Sequence, residues 1–284
     1  MPILNGTPYS DGQLLDILGE FPRAFELMKS RGIPCDSSKI VSGGPRAHTQ
    51  DAAPFPPLSN VDGRARFDWL EIPNGRLTSK PVLHREVFKD VEFIYPVCLE
   101  LVVAASLSDD QAFVDAYLAR EDLHQRTADR LGVSRDQAKR INFSAALGRE
   151  FDGVSLSQAW PEVFAARNRF LEQVESDGIV RTLFSRRAFT RAMCREADFR
   201  RKAWAHYVLG TAADLMKIGL VLAYRRGIPV CGVFVDEFVV EAGWGNAMRE
   251  EVLSQLPIRF LNSPVTIAGP KTALSRICGE DDVI

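Results

Sequence analysis

The chain has 284 residues, 46% of them hydrophobic, enough for one large or two ordinary domains with a real core. Its 35 basic and 37 acidic residues leave a formal charge of -2, which excludes the global basic surface that nucleic-acid binding often leaves, so a polyanion has to be met by a local patch. The five cysteines are widely spaced in mostly apolar settings, which argues against a disulfide frame or a zinc site and predicts reduced thiols in a cytoplasmic compartment; no apolar run approaches the roughly 18 residues of a membrane span, and no basic flank leads into an apolar core at the start, so neither secretion nor membrane insertion is expected.

In chain order, Leu14, Leu15, Ile17, Leu18, Phe21, Phe25, Leu27 and Met28 recur at helical spacing and predict two short helices between Asp11 and Arg31, broken near Pro22. Residues 33–62 are rich in Pro, Gly, Ser and Asp and read as a loop. RARFDWLEI, residues 64–72, alternates as a strand and ends on the turn signal Pro73-Asn74-Gly75; a second strand is predicted over Val91 to Tyr95. Beyond Pro96 the pattern turns helical through Leu99, Val102, Val103 and Leu107, and Ser108 with Asp109 and Asp110 is expected to cap and open the next helix. Further helices are predicted at about 121–131, at 134–148 with Ser134 as cap, and at about 158–176. A short strand pair from Ile179 to Phe189 turns at Ser185-Arg186, and a long helix over about 196–226 has Gly210 and Gly219 as weak points. A hairpin around Asp236, a helix at 244–255 and a closing strand at Ile258 to Leu261 complete the chain, which has no internal repeat.

Four segments carry candidate chemistry. In CGVFVDEFVVEAG, residues 231–243, Asp236 and Glu237 interrupt two runs of strand formers. They read as the polar turn of a hairpin or as a site for a hard cation such as Mg²⁺, which is held by one or two carboxylates and by substrate phosphates. In SRDQAKRINFSAALG, residues 134–148, Arg135, Lys139 and Phe143 stand four apart, and successive steps of four rotate by only about 40°, so they share one face. Two cations and a ring on one face suit the phosphates and base of a nucleotide; the plainer reading is a basic solvated face with Phe143 in the core. The segment 184–204 gathers Arg186, Arg187, Arg191, Arg195, Arg200, Arg201 and Lys202 among aromatic residues, either a phosphate-tracking surface or a solvated charge run. Gly210, Ala212 and Ala213 in LGTAADLM, residues 209–216, permit close approach of a backbone or a duplex, or simply tight helix packing.

The order of the pieces is more specific than any one of them. GRLTSKPVL (75–83), LELVVAASLSDDQAFVDAYLAREDLHQRTADRLG (99–132), RDQAKRINFSAALG (135–148), GIVRTLFSRR (178–187), LGTAADLMK (209–217) and VFVDEFVVEA (233–242) together resemble family A DNA polymerases, the bacterial polymerase I and phage replicative group, over about residues 62–262. The resemblance implies an α/β fold, α+β in layout: a palm with a small antiparallel sheet and a helical fingers subdomain, the thumb and exonuclease domains reduced or absent. It divides the chain into N-terminal helices as a thumb remnant with a Pro/Gly-rich loop (1–61), a first part of the palm (62–107), fingers (108–177) and a second part of the palm (178–284).

The resemblance also implies roles. Asp236 matches a metal-binding aspartate and Glu237 its neighbouring acid, both catalytic. Arg135, Lys139 and Phe143 match the helix that grips the incoming triphosphate, and Glu100 a glutamate beside the sugar of the incoming nucleotide. Arg76 and Arg201 match DNA-contacting arginines, with Arg186 and Arg187 beside them, and His124 and Thr127 fall in the helix leading into the fingers. Departures accompany the matches: Tyr95, or Ile94 with a one-residue shift, stands where the first metal-binding aspartate belongs, and Val235, Leu147 and Leu209 replace a histidine, a tyrosine and a glutamine. Neither Tyr95 nor Ile94 can hold a cation, and Asp90 or Glu92 nearby would reach in only through a distorted strand. The implied function is therefore a reduced polymerase that binds primer-template DNA, nucleoside triphosphate and weakly held Mg²⁺ or Mn²⁺, with synthesis impaired or dependent on a substitute carboxylate or another replication protein. The alternative is a catalytically inactive DNA-binding or replication-accessory protein that keeps the fold.

Overall fold

A computed structural model describes residues 10–31, 71–72, 75–76, 91–108, 110–184, 187–234, 236–258 and 266–268. Helix α1 (Asp11–Gly19) opens with a capping box, in which the Ser10 hydroxyl accepts from the Gln13 N–H and the Gln13 side chain accepts from the Ser10 N–H. Helix α2 (Phe21–Arg31) takes Pro22 into its first turn, where a missing N–H costs nothing, so the break falls before it, at Glu20. Strands β1 (Glu71–Ile72) and β2 (Gly75–Arg76) pair antiparallel with Ile72 opposite Gly75, bracketing the predicted turn.

The main sheet is antiparallel throughout, in the order β6 (Val230–Phe234), β7 (Glu237–Glu241), β3 (Val91–Ile94), β8 (Thr266–Ala268). All four residues of β3 are buried, which is why VEFI does not alternate. Strand β8 pairs with β3 through Thr266 and Ile267, opposite Phe93 and Glu92, while the closing strand expected over Ile258 to Leu261 lies, beyond Ile258, outside the described residues.

Helix α3 (Leu99–Ala105) is buried along its whole length, and α4 (Gln111–Leu118) follows. The cap of α4 is Asp110, which accepts from the Phe113 N–H; Ser108 instead donates to the Ala105 carbonyl and closes the helix before it. Asp122 caps α5 (Leu123–Leu131), and Ser134 caps α6 (Arg135–Ala146) as expected. The helix predicted over 158–176 is two, α7 (Leu156–Ala159) and α8 (Pro161–Asp177), because Trp160 takes an extended backbone before the proline that starts α8. Strands β4 (Ile179–Arg181) and β5 (Arg187–Thr190) form the predicted pair.

Helix α9 (Phe199–Arg225) runs through the core, with α1, α2, α3 and α8 packed around it. By length and composition alone it is apolar enough to cross a membrane, although Asp214 and Lys217 interrupt its apolar run, and 89% of that stretch is buried inside this fold, as in a core helix. After β7 the chain makes a short helix α10 (Gly245–Ala247), a π turn over Met248–Val252 and a 3-10 turn over Leu253–Gln255 in place of one regular helix. The result is the mixed architecture expected, with a small antiparallel sheet beside a larger helical part.

Candidate functional site

Phe234 pairs with Glu237 across the β6–β7 hairpin, so Asp236 sits in its turn. Hairpin and cation site are thus compatible readings of one feature, since both acids are half-buried and line a cavity of about 850 Å³. Strand β3 ends beside them: Ile94 pairs with Phe238, and Tyr95, one residue further, lines the same cavity. Glu100, on the first turn of α3, contributes a buried carboxylate to the wall.

The opposite wall is α6. Its Ala138, Ile141, Asn142, Ala145 and Ala146 are buried, so the 3.6-residue repeat turns Arg135, Lys139 and Phe143 outward, and all three line the cavity. Phe143 is 52% exposed, which removes the reading of it as a core residue. The Arg135 Nε donates to Asp122 Oδ2 at 2.6 Å. Burial pushes the Asp122 carboxyl up, but hydrogen bonds from Arg135 and from the Gln125 and His124 N–H groups outweigh it and hold the acid below the usual carboxylate range.

The donor set bears on metal. A paired-ion site needs carboxylates from two separated strands, and the residue just past β3 that lines the cavity with Asp236 is a tyrosine. Glu92 does not substitute: it is buried away from the cavity and accepts from the Gly245 N–H. Asp90 lies outside the described residues. Among the described residues no three His, Cys, Asp or Glu side chains come together as a ligand cluster. Among the described residues, the donors lining the cavity fit one hard cation shared between Asp236 and substrate oxygens rather than a pair.

The basic segment is less positive than its sequence. Arg191 pairs with Glu196, Arg200 with Glu175 at 2.6 Å, and Arg201 and Lys202 both with Asp198. Arg201 is exposed on α9, while Arg186 and the side chains of Arg76 and Arg187 lie outside the described residues.

Sequence reasoning missed Asn142. It is buried between His124, Thr127 and Trp160, and hydrogen-bonds all three. An asparagine inside a helix gives no sign of this, because its partners lie 15 to 18 residues away. His124 itself lines the cavity, with Nε2 3.9 Å from Cys98 Sγ, and burial foremost, with Arg135 and Lys139, lowers its pKa against the opposing charge of Asp122.

Residues 97–227 match the sequence profile of DNA polymerase family A. Over 263 residues the chain is 29% identical to the thermostable DNA polymerase I of Thermus aquaticus, covering 79% of this chain and 31% of that protein. Against the thermostable DNA polymerase I of Thermus thermophilus it is 32% identical over 248 residues, 74% of this chain and 30% of that one. The chain thus spans under a third of the length of these relatives. A solved structure of the polymerase domain of Pol1 from M. smegmatis, in complex with DNA primer-template and dNTP, superposes with a TM-score of 0.55 at 19% identity, covering 74% of this chain and 46% of that one. That likeness carries the fold.

Proposed function

From the premise that this chain is a family A DNA polymerase-like protein, we propose that it binds a nucleoside triphosphate between α6 and the β6–β7 hairpin, on a primer-template duplex, and that template-directed DNA synthesis by it is weak. One observation carries the reading: Asp236, Glu237, Glu100, Arg135, Lys139 and Phe143, scattered over more than a hundred residues of sequence, meet at a single cavity within the roughly 300–1,000 Å³ usual for small ligands. Lys139 and Arg135 stand where they can meet phosphates, Phe143 offers its exposed ring to a base, and Glu100 closes the wall where a sugar would lie. A cation at Asp236 would neutralise phosphate charge. Tyr95 supplies no second anionic clamp, which is why synthesis is expected to be slow. The cysteine pattern suits a reducing, cytoplasmic setting.

The second reading is a non-catalytic DNA-binding protein that keeps the fold, and Tyr95 is the observation that favours it. Primer extension with Mg²⁺ and with Mn²⁺ separates the two, comparing the native chain with Tyr95→Asp and Asp236→Ala. Slow native synthesis, abolished in Asp236→Ala, supports the weak-polymerase reading. No native synthesis, with synthesis gained in Tyr95→Asp, establishes a fold retained for binding. Failure of the native chain to bind a nucleoside triphosphate in a fluorescence titration rejects the nucleotide site itself.

A further inference from the structure

The polar atoms of Asn142 fix the proton of a neighbouring histidine. The Trp160 indole Nε1, 2.9 Å from Asn142, can only donate, so the amide atom facing it is the oxygen. Thr127 Oγ1 stands 3.0 Å from the same oxygen. The other amide atom is therefore the nitrogen, and its two hydrogens are directed at the Leu123 carbonyl (3.3 Å) and at His124 Nδ1 (3.0 Å). A ring nitrogen that receives a hydrogen bond must present a lone pair, so neutral His124 carries its hydrogen on Nε2, the atom that faces Cys98 at the cavity wall. We propose that Asn142 is a positioning residue that holds His124 as the neutral Nε2–H tautomer, presenting an N–H donor to an anionic oxygen in the cleft. That this oxygen belongs to a phosphate rests on the nucleotide reading; the tautomer does not.

Protonation of His124 would put a hydrogen on Nδ1 against the Asn142 N–H, so the amide opposes the imidazolium directly. The charged surroundings divide. Arg135 and Lys139 on α6 disfavour the imidazolium, Asp122 at the start of α5 favours it, and Glu100, Glu121, Asp236 and Glu237 share the cavity with the ring. Across Nε2 lies the Cys98 thiol, which stays protonated.

The test uses the full chain with ¹⁵N-labelled histidine. In the native protein at neutral pH, the two-bond ¹⁵N–¹H spectrum should show His124 Nδ1 as a bare, pyridine-type nitrogen and Nε2 as protonated; the reverse assignment overturns the proposal without any mutation. Asn142→Asp keeps an oxygen for Trp160 and Thr127 but sets a carboxylate against Nδ1. It should move the proton to Nδ1 and raise the His124 pKa by about one to three pH units, as an adjacent opposite charge does. A folded Asn142→Asp protein, checked by circular dichroism, with unchanged tautomer and pKa would also overturn it. In a parallel titration with inorganic tripolyphosphate, absence of binding by the native chain would sink the nucleotide reading while the tautomer result still judges Asn142.

Discussion

Asp122→Asn should strengthen triphosphate binding while leaving the fold almost unchanged. Asp122 does two things: it caps α5 by accepting from the His124 and Gln125 N–H groups, and it holds Arg135 at 2.6 Å. Asparagine caps a helix about as well as aspartate, so the first role survives. The second is an ion pair between side chains 49% and 41% exposed, and pairs of this kind contribute about 0.2–1 kcal/mol. A triphosphate that takes Arg135 must first break this pair. Removing the competitor should therefore raise affinity by up to about fivefold, since 1.4 kcal/mol is tenfold. The depressed carboxyl sets the pH dependence of that competition: the pair is present above the ordinary carboxylate range and is lost as pH falls through the lowered value, so the advantage of the variant should shrink in acid. The assay is a fluorescence titration with a nucleoside triphosphate at fixed ionic strength, paired with urea unfolding, in which the midpoint should barely move. Equal or weaker binding by a folded Asp122→Asn protein would show that Arg135 does not engage the triphosphate, and the grip assigned to α6 would fail with it.

Gly219→Ala should destabilise the packing of α9 on the main sheet, because a Cβ there would lie 2.7 Å from Cζ of the fully buried Phe238; overpacking costs about 1–3 kcal/mol against about 1 kcal/mol of helix gain, so the urea midpoint should fall, and a midpoint above the native one would refute the packing argument. Duplex binding should weaken steeply with salt, and neutralising Arg76 or Arg201 should flatten the log–log slope by about one unit per lost phosphate contact; since Arg201 is already paired with Asp198, an unchanged slope in its variant would take it out of the interface. Burial, then the nearby Asp122 and Glu100 charges, push the Cys98 thiol up to about 11 from an ordinary 9.0, so at pH 8 it should hold roughly a hundredfold less thiolate than a free cysteine. Peptide mass spectrometry after brief iodoacetamide treatment checks this, and rapid alkylation at Cys98 would contradict it.

Local physics was legible in the one-dimensional pattern. Ser134 caps α6 because its hydroxyl needs only an N–H three residues on; Arg135, Lys139 and Phe143 share a face because a helix repeats every 3.6 residues; Asp236 falls in a turn because strand formers flank it on both sides. The ordered blocks carried the polymerase likeness for the same reason, each being a short run whose own residues decide its shape. What only the tertiary structure decided are the pairings across long stretches of chain. Glu92 is withdrawn from the cavity by a backbone N–H 153 residues away, and Gly219, a weak point as a helix residue, is the clearance into which Phe238 packs. Asn142 acquires its role from an indole and an imidazole on two other segments. A buried polar group takes its function from its hydrogen-bond partners, and those partners are chosen by the packing of the whole chain rather than by neighbours in sequence.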